Sequence, residues 1–497
     1  MLITTSLIKQ CKTLNHLTQI HAQIITQTLI PTTNPFLIPT LLQSFTSLLI
    51  AYPPLHNHRR HRLRLLFYAN SIFKQIINPK TFSYNNLIRA RTLLSAESNA
   101  LCLFIRMRAL GLPPDSHTFP FVISASSGIG SLGLSRALHC QALKFGFYID
   151  LFVVNNLIHA YAVTVEAVWD AWKVFDDSSV RDVVSCNAMI TGFVKSGDLV
   201  RARDVFDEMP ERDSVSWGAI LSGYVASDQC AEAIRLFNRM LGEDGVRPDN
   251  VALVAVMSAC ARLGEAEQGK LVHDYIIKNR IRVDMYLCTG LVDLYAKSGD
   301  IKTSVEIFEA CHDKNLFTWN AMLVGLAMHG HCQTALDYFS RMVESGIPPD
   351  GVSFLAVLVA CSHGGLVEDA RRLFRDMELV YNVPKELKHY GCMADLLARA
   401  GLIEEAAEMI DAMREGGNLV AWGGLLGGCK THQNVAFAER AAKNVMSLDP
   451  EDGGVYSIML NVYANAERWD EVEVVKRLMR AKRVKRTFGR SVVHMTG

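Results

Sequence analysis

With 497 residues, 49% of them apolar and 20% charged, the chain is too long for one ordinary domain, yet no composition break divides it. Its apolar runs, such as 251–261, stop well short of the ~18 residues that span a bilayer, so no membrane partner is expected. Twelve cysteines without a CxxC pair exclude a disulfide framework and fit reduced thiols in an intracellular compartment. The formal net charge of +1 hides an asymmetry: up to Ala96 there are ten Lys/Arg and no acid, and beyond it 41 basic residues face 50 acidic ones.

An acid-free, hydroxyl-rich, basic amino end is what an organelle import signal carries; a degenerate first repeat lacking acids is the alternative. Residues 1–34 hold QCKTLNHLTQIHAQII, an amphipathic helix around Ile20, His21 and Ile24. They form a candidate targeting segment overlapping a degenerate repeat, because IHAQII recurs later as LHCQALK and VHDYIIK. Residues 35–80 make a second degenerate repeat, interrupted by the basic, proline-containing loop AYPPLHNHRRHRLR. His56, His58 and His61 cluster there without acids, Cys or a fixed geometry, so no metal site is expected.

From Thr81 one unit is written repeatedly: an apolar-periodic helix, a short polar turn and a second helix. In the copies at 183–213 and 214–249, Ala202, Val205, Phe206 and Met209 fall at i, i+3, i+4 and i+7, as do Ala233, Leu236, Phe237 and Met240. Units open at Thr81, Ser116, Leu151, Val183, Ser214, Asn250, Met285, Leu316, Gly351 and Leu387. Phe104, His139, Phe175, Phe206, Phe237, His273, Phe308, Phe339 and Phe374 then occupy one slot of the second helix. Two helices of about twelve residues bury no core alone, so the units must stack as an all-α solenoid of antiparallel helix-turn-helix repeats.

Unit lengths run from 31 to 36 residues, longer ones closing in GLPPD, GVRPD or GIPPD and shorter ones in VRD, ERD or DKN. A tetratricopeptide array would hold 34 residues and carry a Trp/Leu-Gly/Tyr signature, which is not present. The mixture resembles the pentatricopeptide repeat (PPR) family of land plants, in the PLS subfamily that alternates standard, long and short repeats. From Thr81 the order is standard, long, short, short, standard, long, short, standard, long, short. The resemblance implies a right-handed superhelical solenoid, with PPR repeats over 81–418. Residues 419–486 resemble the E domain of the E subgroup, two tetratricopeptide-like hairpins, followed by a tail at 487–497. The basic stretch 476–490 is read as a solvated helix face.

No catalytic residue, cofactor or metal is expected, and hence no enzyme. GGLLGGCKT at 423–431 mimics a phosphate loop, but Cys429 stands where the last glycine must turn the chain and no strand precedes it. His21, His139 and His273 lie in different repeats and read as packing residues. The HxE and PCxxC motifs of a zinc deaminase are lacking.

A hairpin array offers one helix edge per unit along a groove and can read one base per repeat. The resemblance implies that the fifth residue of a unit bonds the base edge, the last residue assists it, and the second packs on the base plane. Small amides and hydroxyls suit the fifth place because they approach a Watson-Crick edge closely while donating or accepting. The base-reading pairs are then Asn85 with Asp115, Asn155 with Asp182, Asn187 with Asp213, Thr289 with Asn315 and Asn320 with Asp350. By resemblance Asn with Asp favours U and Thr with Asn favours A. Gly218 (with Asp249) and Gly391 (with Asn418) leave their bases open, and Pro120, Val254 and Leu355 of the long units have nothing to read with. The footprint, 5′ to 3′, is U, any, U, U, any, any, A, U. Phe82, Phe152, Val184, Tyr286 and Phe317 occupy second places, where aromatic stacking contributes about 1–3 kcal/mol per base. Against this, Asn early in a helix also serves as an N-cap, and apolar second-place residues also pack on a preceding hairpin.

The resemblance implies a sequence-specific binder of single-stranded organellar RNA. It would be a site-recognition factor for C-to-U editing that recruits a deaminase-bearing PPR protein in trans, with other editing factors. The expected location is the mitochondrion, with the chloroplast as alternative. A splicing, stability or translation factor without deaminase recruitment is the second reading, and a protein-binding helical-repeat scaffold the third.

Overall fold

The computed structural model describes Ile8 and residues 13–26, 37–51, 59–179, 181–242, 245–413, 416–449 and 453–481, and among these no strand occurs. The expected all-α architecture of antiparallel hairpins is what the chain adopts. Two compact units, Met1–Ala255 and Val256–Gly497, divide it, the boundary falling within the helix Asn250–Leu263.

In the first unit, helices Leu14–Thr26, Leu37–Ala51 and Arg59–Lys74 precede the hairpins Thr81–Leu93/Glu97–Ala109, Thr118–Ile129/Leu132–Lys144, Leu151–Ala162/Val168–Asp177, Val183–Lys195/Leu199–Glu208 and Ser214–Ala226/Cys230–Gly242. The second unit continues through Met285–Lys297/Ile301–Ala310, Leu316–Met328/Cys332–Glu344, Gly351–Gly364/Val367–Leu379 and Leu387–Arg399/Ile403–Asp411. It ends in Leu419–His432/Val435–Leu448 and Gly453–Asn465/Trp469–Ala481. The basic insert departs from the expected loop: Arg59 already begins a helix, while 52–58, with His56 and His58, lie outside the described residues.

First helices begin at the residue that opens each sequence unit, except that Thr118 replaces Ser116. There the Asp115 carboxylate accepts from the backbone N–H of both His117 (3.0 Å) and Thr118 (2.9 Å), holding a turn ahead of the helix. Pro120 then falls in the first turn, where its missing N–H has no intrahelical partner to lose. At several other units the closing residue caps the next helix. Asp182, Asp213, Asn315 and Asp350 form capping boxes with Ser185, Ser216, Thr318 and Ser353. Between the two helices of a hairpin, Gly197, Gly299 and Gly401 adopt φ near +80°, which a side chain resists.

The phenylalanine ladder forms the interior. Phe206 is 0% exposed and meets Trp217 of the next unit edge to face, centroids 4.8 Å apart; Phe308 meets Trp319 in the same way at 4.8 Å. The aromatic slot of one repeat therefore closes over the ladder of the repeat before it. The VRD, ERD and DKN endings are explained by the same contact. Arg181 Nε donates to Phe175 O (3.2 Å), Arg212 Nε to Phe206 O (2.9 Å) and Lys314 Nζ to Cys311 O (2.6 Å). Each cation also stands over the ladder ring, neutralising the carboxyl end of the second helix while covering its phenylalanine.

Some consecutive first helices cross at a glycine in the tenth place of the unit. A Cβ on Gly192 would lie 2.8 Å from Ala162 Cβ and one on Gly428 2.6 Å from Ala398 Cβ, and Gly325 approaches Ala296 in the same register. His21 donates to or accepts from Tyr68 (2.7 Å) and Gln75 (3.0 Å), His139 pairs with Tyr161 (3.1 Å) and His273 with Tyr295 (2.9 Å). Desolvation lowers the pKa of His139 and His273, so these side chains pack as neutral rings. Among the described residues no three His, Cys, Asp or Glu side chains could hold a metal, and no helix is long and apolar enough to cross a membrane.

Candidate nucleic-acid interface

At four units the opening of the next first helix brings the fifth and last residues together. Asn85 Nδ2 donates to Asp115 Oδ1 at 2.8 Å, Asn155 Nδ2 to both Asp182 oxygens at 3.2 and 3.1 Å, Asn187 Nδ2 to Asp213 Oδ1 at 3.1 Å, and Asn320 Nδ2 to Asp350 Oδ1 at 3.1 Å. The bond spans about thirty residues of sequence because the closing carboxylate sits at the start of the neighbouring helix. The asparagines themselves are not N-caps. That task belongs to Asp182, Asp213 and Asp350, which serve the backbone of one helix and the amide of another at once.

Two of these carboxylates, Asp213 and Asp350, are held ionised. Burial raises the Asp213 pKa, but the N–H and hydroxyl of Ser216, the Asn187 amide and the Val215 N–H outweigh it and bring the group below its ordinary value. Asp350 is lowered in the same way, against burial, by the Ser353 N–H, the Asn320 amide, the Ser353 hydroxyl and the Val352 N–H. An ionised carboxylate only accepts, so it fixes the orientation of each amide: nitrogen inward to the aspartate, oxygen away from it.

The remaining sequence-derived pair does not meet directly. Thr289 Oγ1 donates to Met285 O (2.8 Å) and contacts Thr318 Oγ1 (2.8 Å), whose hydroxyl in turn reaches Asn315 Oδ1 (2.9 Å). Thr318 is thus a bridge that the sequence reading lacked. Thr118 and Ser353, also third residues of their units, are likewise missed members: Thr118 Oγ1 donates to Asn85 Oδ1 (2.7 Å) and Ser353 Oγ to Asn320 Oδ1 (2.6 Å). The signal available was a hydroxyl residue recurring in third place. At the two silent fifth places the surroundings differ. A Cβ on Gly218 would meet Val251 at 3.3 Å and Asp249 Oδ1 at 3.4 Å, whereas nothing lies within 4 Å of one on Gly391.

Second-place side chains point outward along this edge. Phe152 is 73% exposed, and Phe82, Val184, Tyr286 and Phe317 are exposed as well. Val215, Val251, Val352 and Val420 repeat the pattern. In the first compact unit these features converge on a cavity of about 350 Å³, lined by Asn155, Asn187, Val184, Val215, His159 and Lys195 among others. In the first unit Phe82, Phe152 and Val184, and in the second Tyr286 and Phe317, thus offer flat or branched apolar surfaces in units that carry an oriented amide or hydroxyl. Residues 423–431, the phosphate-loop mimic, are helical within Leu419–His432 and cradle nothing.

A tandem of capped helical hairpins, closed over one another by a recurrent aromatic contact and carrying a polar pair at each opening, defines a helical-repeat protein. The family profile described as PPR repeat matches residues 184–214, 215–244, 317–347, 352–379 and 388–418, and the profile described as E motif matches 432–494. Pentatricopeptide repeat-containing protein At5g61800 of Arabidopsis thaliana is 53% identical over 98% of this chain and 98% of its own length. Pentatricopeptide repeat-containing protein At5g56310 of the same plant is 39% identical over 86% of this chain and 82% of its own. Among solved structures, the pentatricopeptide repeat protein PPR10 from maize superposes with a TM-score of 0.44 at 17% identity, covering 97% of this chain and 74% of that one. PPR10 in complex with an 18-nt psaJ RNA element gives 0.47 at 16% identity, over 95% and 78%. The chain belongs to the pentatricopeptide repeat family, and its E motif places it in the E subgroup of the PLS subfamily.

Proposed function

We propose that this protein binds single-stranded RNA of a plant organelle in a sequence-specific manner and marks cytidines for C-to-U editing. The observation that carries the RNA part is the recurrence, at 85/115, 155/182, 187/213 and 320/350, of an asparagine amide oriented by an aspartate beside an exposed second-place side chain. A base laid against Phe82, Phe152, Val184 or Phe317 presents its Watson-Crick edge to that amide, and the plane and the edge are then recognised together. Thr289, linked through Thr318 to Asn315, supplies a hydroxyl in place of the amide at its own unit. Residues 81–418 form the RNA-reading part in this assignment and 419–486 the partner-binding part. The E motif favours editing over splicing, stabilisation or translation, and the partner it would engage is a deaminase-bearing PPR protein, with further editing factors. The mitochondrion is the proposed location and the chloroplast the alternative. The protein supplies address and not chemistry.

Deep sequencing of organellar RNA from a plant lacking the protein tests this. Loss of editing at one or a few cytidines, each a few nucleotides beyond a match to U, any, U, U, any, any, A, U, is the expected result. Intact editing everywhere with one transcript mis-spliced or unstable removes the deaminase-recruiting part and leaves RNA binding.

A further inference from the structure

The four Asn–Asp pairs share their nitrogen contact but not the fate of their oxygens. Asn85 Oδ1 accepts from Thr118 Oγ1 at 2.7 Å and Asn320 Oδ1 from Ser353 Oγ at 2.6 Å, each hydroxyl standing farther from its own aspartate, at 2.9 and 3.1 Å. Asn155 Oδ1 and Asn187 Oδ1 are buried and have no hydrogen-bond partner. The cause lies in the third residue of the following unit. Ser185 turns its hydroxyl to Asp182 O (2.8 Å) and Ser216 turns its own to Asp213 Oδ1 (2.8 Å), so neither serves the amide oxygen.

A buried acceptor without a donor is costly, and folded chains keep few of them. Here two stand in adjacent repeats, both on side chains that line the 350 Å³ cavity, with the second-place residues Val184 and Val215 at its wall. Asn155 is only 9% exposed. A ligand that displaces the apolar lining and brings a donor recovers that cost, whereas at Asn85 and Asn320 a hydroxyl has already been accepted and less remains to gain.

We propose that repeats 151–182 and 183–213 are the discriminating core of the RNA site, reading two consecutive uracils through their N3–H groups. Thr118 and Ser353 are then specificity-determining residues that blunt the reading by Asn85 and Asn320. The inference rests on the RNA-binding function proposed above. Uracil fits because its N3–H donates where the orphan oxygen needs a donor. Cytosine places a lone pair at N3, and the amide cannot turn its nitrogen outward to meet it, because its oxygen would then face the carboxylate oxygens of Asp182 or Asp213.

The test uses the full chain and eight-nucleotide RNAs carrying U at positions 1, 3, 4 and 8 and A at position 7, with affinity read by fluorescence anisotropy. Single U-to-C changes at position 3 or 4 are expected to weaken binding about tenfold or more, and at position 1 or 8 by about threefold or less. Equal losses at all four positions, or larger ones at 1 and 8, overturn the inference while leaving RNA binding standing. Failure of every RNA to bind removes the RNA-binding reading and this inference with it. A second arm frees the closed acceptor: Ser353→Ala is expected to raise discrimination at position 8 to that seen at position 3, with circular dichroism and the melting temperature reporting the fold. Unchanged discrimination in a folded Ser353→Ala protein contradicts the role of the hydroxyl.

Discussion

The repeat at 183–213 and the hairpin Leu419–His432/Val435–Leu448 share a scaffold and differ in one place. Both first helices are capped by the residue before them, Asp182 to the Ser185 N–H (2.8 Å) and Asn418 to the Ala421 N–H (2.9 Å). Both expose a second-place valine, Val184 and Val420, and both cross the preceding first helix at a glycine over an alanine, Gly192 on Ala162 and Gly428 on Ala398. At the fifth place the first has Asn187 bonded to Asp213, while the second has Gly423, around which nothing lies within 4 Å of a Cβ. The hairpin stack is therefore independent of the chemistry written on its edge. An exposed second-place side chain belongs to the scaffold; the oriented amide is what distinguishes a reading unit from a merely stacked one.

The largest expected effect comes from the shared scaffold. Phe206→Ala removes a fully buried ring from the Trp217 contact and should lower stability by about 3–5 kcal/mol in urea unfolding, whereas Gly423→Ala, in open space within a helix, should raise stability by about 0.5–1 kcal/mol. Next, Gly192→Ala and Gly428→Ala should each cost about 1–3 kcal/mol, because the added methyl has no room at the helix crossing. A large cost in one and none in the other would break the claim of a common scaffold. The functional difference follows: Asn155→Ala and Asn187→Ala should each weaken RNA binding about tenfold at an unchanged melting temperature, while Gly423→Asn should leave affinity where it was.

The smallest effect is in acid. Asp213 titrates below its ordinary value when folded, so its capping contribution, about 1 kcal/mol, is full above the unfolded carboxyl pKa near 4 and is lost as pH falls through the lowered folded value. Comparing urea midpoints of the parent and Asp213→Asn at pH 7 and pH 3 should show a difference that shrinks in acid; a difference that grows would give the shift the wrong sign.

Much of this was legible in the sequence because it follows spacing along one helix. The ladder from Phe104 to Phe374, the opening residue of each first helix and the packing of His21, His139 and His273 all rest on local periodicity and recur at a fixed offset. The fifth-place asparagines could be placed for the same reason. What escaped depends on distances between helices. The hydroxyls of Thr118, Ser353, Ser185 and Ser216 occupy one sequence slot and all reach their own aspartate, yet only the first two also meet an amide oxygen of the preceding unit. Rotamer and helix separation decide that, not spacing. Thr289 and Asn315 likewise stand in the expected slots but meet only through Thr318. The tenth-place glycines were equally silent, since a close crossing reveals itself only when Ala162, Ala296 or Ala398 is found opposite.

The most direct test of the central claim is an anisotropy titration of the full chain with an RNA matching U, any, U, U, any, any, A, U, against one of equal length in which the four uracils become guanines. The account predicts affinity at least about tenfold higher for the first. Equal affinity for the two would mean that the amide–carboxylate pairs at 85, 155, 187 and 320 do not read bases.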